Sequence, residues 1–78
     1  MIIDADVQCL GIYQTAAGVC YRCDLDTRDN SVIFWGPTDS GPPKLIRTEI
    51  RDNRESTAIE EVKRFLGEGS FIMNYFEV

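Results

Sequence analysis

The chain has 78 residues, enough for one small domain and too few for two. Hydrophobic residues make up 44% and charged residues 27%, the balance of a globular chain rather than a disordered tail. Thirteen acids against eight bases give a net charge of −5, which disfavours nucleic acid and anionic membrane as direct partners; the absence of histidine removes the commonest general base and metal ligand.

The N-terminal stretch alternates. Ile3, Ala5, Val7, Cys9 and Tyr13 are interleaved with Asp4, Asp6 and Gln8, the period of a half-buried strand. Gly11 interrupts the row and marks a candidate bulge. The acids near the start, with no apolar stretch behind them, do not resemble an export signal, so a cytoplasmic protein is expected. Gln14 to Gly18 reads as a short loop, after which Val19, Tyr21, Cys23 and Leu25 alternate with Cys20, Arg22 and Asp24 in a second strand. Pairing Tyr13 with Val19 sets Cys9 opposite Cys23, on the face that carries Val7 and Tyr21. Asp6 then falls opposite Asp26 and Gln8 opposite Asp24, on the other face.

Thr27 to Asn30 is a turn, and Ser31 to Trp35 is a β-branched and aromatic third strand. Its core, Val32–Trp35, is the longest apolar run in the chain and far shorter than the ~20 residues of a membrane span. The 36–44 segment, rich in proline and glycine, is a loop. Lys44 to Arg51 resumes alternation as a fourth strand. Thr57-Ala58-Ile59-Glu60 fits a capping box with Ser56 as a rival cap, and Ala58, Ile59, Val62, Phe65 and Leu66 share one helical face. Glu60 stands four before Arg64 on the opposite face, and Gly67 and Gly69 are candidate stops. Ser70 to Val78 is a terminal strand. The expected architecture is a single α+β domain over 1–78, in two layers. An antiparallel sheet of 4–5 strands carries one helix on one face, in the order β-β-β-β-α-β.

Chemical motifs are sparse. Cys20-Tyr21-Arg22-Cys23 has CxxC spacing, but inside a strand its cysteines point to opposite faces, and a zinc site lacks its other ligands. Asp24, Asp26 and Asp29 have the beginning of a calcium loop, but its fifth, sixth and twelfth positions hold Arg28, Asp29 and Trp35. No cofactor, metal site or catalytic set is expected, and the reading is non-enzymatic. The three cysteines are expected to be reduced and structural.

One short helix covers one sheet face, so the other face needs an explanation. Alternation sends Val32 and Phe34 toward the helix and Ile33 and Trp35 away from it. Leu10 and Ile12 join the outer face if Gly11 leaves the register unshifted, and Phe76 adds to it from the terminal strand. A contiguous apolar patch of that kind marks an interface with a protein partner or with a second copy. Only Arg22 and Arg28 are basic before residue 40, so the acidic excess lies in the first half, as a patch of Asp4, Asp6, Asp24, Asp26 and Asp29. That supports a second reading, an acidic inhibitor that mimics nucleic acid on a basic protein. A third reading is a small-ligand binder that uses the 36–44 loop.

Overall fold

The computed structural model describes residues 6–37 and 41–74. Five strands and one helix follow in the expected order: β1 (Val7–Thr15), β2 (Cys20–Asp26), β3 (Ser31–Gly36), β4 (Lys44–Glu49), α1 (Glu55–Leu66) and β5 (Gly69–Asn74). The strands form one antiparallel sheet in the order β4-β3-β2-β1-β5. Two tight connections join β1 to β2 and β2 to β3. The second ends at Asn30, which takes a left-handed backbone (φ 53) that asparagine tolerates well. The helix then carries the chain from one edge of the sheet to the other, so that β5 pairs with β1.

The core lies between α1 and one face of the sheet. Leu10, Tyr13, Cys23, Leu25, Val32, Phe34, Ala58 and Val62 are all fully enclosed there. Phe34 stacks on Phe65 with ring centroids 4.8 Å apart, and Tyr13 meets Phe71 edge-on at 5.1 Å. Tyr13 also donates its hydroxyl to the Gly67 carbonyl at 2.8 Å, which satisfies an oxygen at the end of the helix.

Two helix details differ from expectation. The helix starts at Glu55 and has no side-chain cap; Asp52 accepts the Arg54 backbone N–H at 3.0 Å and makes the turn that launches it. Thr57 is therefore buried in the first turn rather than capping it. The expected Glu60–Arg64 pair does not form. Arg64 grips Glu61 at 2.8 and 2.6 Å, because Glu61 is buried and a buried carboxylate needs a partner. Glu60 turns to Arg51 instead, at 3.5 Å.

The larger correction concerns β1. Its pairing runs Val7↔Asp26 and Cys9↔Asp24, then shifts to Gly11↔Cys23 and Tyr13↔Tyr21. Leu10 is the extra residue, and Gly11 takes φ 138, a conformation that side-chain-bearing residues avoid. The bulge leaves Ile12 and Tyr13 where alternation puts them and reverses the residues before it. Leu10, expected on the outer face, is in the core. Cys9 lies on the outer face opposite Asp24, and Cys23 lies on the helix face, so the two thiols are separated by the sheet. Residues 1–5, including Asp4, and 75–78, including Phe76, lie outside the described residues.

Candidate interaction face

Strand pairing sorts the outer face into cross-strand rows. One row crosses all five strands by direct pairing: Met73 faces Ile12, Ile12 faces Arg22, Arg22 faces Trp35, and Trp35 faces Leu45. The next row runs Cys9, Asp24, Ile33, Arg47, and the one beyond it Val7, Asp26, Ser31, Glu49. The first row is apolar but for Arg22. The other two carry the acids.

The apolar row is open. Trp35 is 37% exposed, Leu45 46% and Met73 47%. Ile12 is half-buried. Ile33, expected beside Trp35 at the surface, is on that face but buried, hemmed in by Asp24 and Arg47 on the flanking strands. Sequence reasoning thus placed Trp35 and Ile12 correctly on the outer face and missed Arg22, Leu45 and Met73. Leu45 shares the parity of Arg47 and was legible as an outer residue. What was missing was the register that sets it beside Trp35.

Trp35 is held in place from the second row. Its indole Nε1–H donates to Asp24 Oδ2 at 3.0 Å, and Arg22 Nε donates to Asp24 Oδ1 at 3.2 Å. Asp24 and Asp26 are only 3% and 1% exposed, although both stand on the face opposite the helix. Burial of this kind requires counter-charge, and three arginines supply it. Arg28 holds Asp26 through its backbone N–H at 3.0 Å and through its guanidinium at 3.2 and 3.1 Å. Arg47 Nη1 reaches Asp26 Oδ2 and Asp29 Oδ2, each at 3.1 Å, and Ser31 Oγ at 2.7 Å. The Arg28 guanidinium, with Arg47 behind it, keeps the Asp26 carboxyl well below the usual carboxylate range. Asp6 is exposed and within 3.9 Å of Arg28. Asp6, Asp24, Asp26 and Asp29 do gather at one end of the sheet, but as members of an ion-pair network.

Cys9 and Cys23 are held as thiols. Burial, with Asp24 nearby, raises the Cys9 thiol, and burial pushes Cys23 up to about 12. Cys20 is exposed on the outer face beside Gln14. All three cysteines are free. Among the described residues no group of histidine, cysteine, aspartate and glutamate is arranged to hold a metal ion, and no helix is long and apolar enough to cross a membrane.

At the β3–β4 end of the apolar row, Arg22, Trp35, Gly36, Pro37 and Pro43 line a cleft of about 330 Å³. Compared with family models, curated proteins and solved structures, the chain matches none.

Proposed function

We propose that the chain is a small interaction module that binds a protein surface, a partner's or a second copy's, through the outer face of its sheet. The observation that carries this reading is the row Met73, Ile12, Arg22, Trp35, Leu45, unbroken across five strands and with its large apolar members open to solvent. A tryptophan fixed by a hydrogen bond to a buried carboxylate loses little side-chain entropy on binding, which is what a contact anchor requires. Seating such a side chain under a partner contributes about 2 kcal/mol.

The ion-pairing of Asp24, Asp26 and Asp29 favours this reading over nucleic-acid mimicry, because those carboxylates are already engaged by Arg22, Arg28 and Arg47. The raised thiols support a non-catalytic role, and three free cysteines fit a reducing compartment.

Trp35→Ala tests the reading. Sedimentation and circular dichroism are run on the same samples, together with pull-down by the intact protein. The substituted chain should keep its fold and lose self-association or partner capture. A parent chain that stays monomeric at all concentrations, captures nothing, and unfolds on substitution would show that Trp35 serves only the fold.

A further inference from the structure

The centre of the apolar row is a charge. Arg22 stands between Ile12 and Trp35, and its side chain is 59% exposed. Its Nε is bound to Asp24, which among the described residues is its only carboxylate partner. The Cys9 thiol is the other group beside the guanidinium, and no carboxylate among the described residues bonds the terminal amino groups, so these can take a second carboxylate. A guanidinium engaged on one edge is also oriented, so its remaining donors are presented in a fixed plane.

Asp24 thus acts as a buried post with two arms. One holds the indole of Trp35 and the other holds Arg22, and both residues line the same cleft of about 330 Å³. Pro37 and Pro43 line it too, rigid and apolar, so the cleft has room for one aromatic or branched side chain.

We propose that this cleft seats a partner segment that presents an apolar side chain with a carboxylate beside it. The apolar group lies against Trp35, Pro37 and Pro43, and the carboxylate takes the terminal amino groups of Arg22. The inference rests on the interface reading above and specifies the partner's chemistry. Charge complementarity selects the occupant. A second copy docked on a two-fold axis through the row's centre brings Arg22 against Arg22, and like charges across an interface are costly. A segment of another protein that carries a single carboxylate beside its apolar side chain places that group there instead, whereas a strongly acidic segment is repelled by the chain's net charge of −5.

The test uses the intact ¹⁵N-labelled chain and two probes of nearly identical shape, 3-phenylpropionate and 3-phenylpropionamide. Trp35 is the only tryptophan, so its indole N–H gives one unambiguous signal. The acid should shift the Trp35 indole and Arg22 Nε signals saturably, about fivefold more tightly than the amide. Arg22→Met, which keeps the aliphatic stem, should bring the two probes to equal affinity. Arg22→Lys, which keeps the charge without the fork, should retain part of the preference, and a dispersed spectrum verifies the fold of each variant. Equal affinity of acid and amide for the parent chain would overturn the inference and leave the interface reading standing. No saturable shift with either probe would overturn the cleft as a seat. The interface reading fails separately, by sedimentation and pull-down of the Trp35→Ala chain.

Discussion

Asp24 and Trp35 are diagonal neighbours: Asp24 is paired with Ile33 and Trp35 with Arg22, yet the indole N–H reaches back across the strands to the carboxylate at 3.0 Å. The bond gives a nearly buried acid a second donor and fixes the one large aromatic that the described residues place on the outer face. Asp24→Ala removes the acceptor from both Trp35 and Arg22 and is expected to cost about 1–3 kcal/mol in chemical denaturation. Asp24→Asn keeps an acceptor oxygen and should cost less. The same titration followed by Trp35 fluorescence should show a red-shifted native baseline for the alanine variant. An unchanged midpoint and emission for Asp24→Ala would mean that the bond contributes nothing in solution.

Gly36 is predicted to be intolerant of a methyl group for reasons of space. A Cβ built there lies 2.5 Å from Cε2 and 2.9 Å from Cδ2 of Tyr21. Gly36→Ala must displace that ring, which packs against the core, at a cost of about 1–3 kcal/mol. In a Tyr21→Ala background the same substitution should be close to neutral, and the double-mutant cycle reads the coupling directly. Additive effects would place the origin of the cost elsewhere.

Stability should fall at both ends of the pH scale. Asp26, Asp52 and Glu61 have lowered carboxyl values in the fold. For Asp26 and Glu61 the first cause is a hydrogen bond from Arg28 and Arg64 respectively; for Asp52 it is the nearby Thr57 side chain, ahead of the Arg54 backbone N–H that bonds it at 3.0 Å. Groups depressed in the folded state contribute stability that is complete above their unfolded values, near pH 4, and is lost as the pH drops toward the folded ones. Cys9 and Cys23 are raised by burial, so their contribution is complete below the unfolded thiol value, about 8.5, and is lost as the pH climbs toward the folded values. Urea midpoints between about pH 2 and pH 10 should trace a plateau with two falling shoulders. A midpoint that rises below pH 4 would contradict the assignment of the carboxylates.

The thiols should react in the order of their exposure. Cys20 is exposed, Cys9 half-buried and Cys23 buried. Alkylation of the native chain, followed by intact mass and peptide mapping, should modify Cys20 first and Cys9 slowly; Cys23 should react only in denaturant. A native species two mass units light, with one thiol left to alkylate, would reveal a disulfide and contradict the placement of Cys9 and Cys23 on opposite faces.

The elements themselves were readable because each has a strong local pattern. Val32 to Trp35 is β-branched and aromatic, and Ala58, Ile59, Val62 and Phe65 repeat at helical spacing. The chain order of the elements and the two-layer class follow from those patterns. What escaped was set by a single residue. Gly11 was visible as an interruption, but alternation alone does not say whether a glycine shifts the register or merely occupies it. Here it shifts the register, so Cys9 and Leu10 exchange faces relative to the expected pairing. Arg47, the long-range partner of Asp26, was equally out of reach, since it meets Asp26 only through the pairing of β3 with β2 and β4.

The order β4-β3-β2-β1-β5 has a consequence for biosynthesis. As the chain leaves the ribosome, β1 through β4 can zip up as successive hairpins between near neighbours. The far side of β1 has no partner until α1 has emerged and β5 follows it, so that Gly11 finally meets Asn74. For that interval the nascent sheet carries a raw edge next to Ile12, the kind of edge that other chains can capture. In the finished fold the hydroxyl of Tyr13, bonded to Gly67 just before β5 begins, ties β1 to the end of the helix, two residues from the start of the strand that closes that edge.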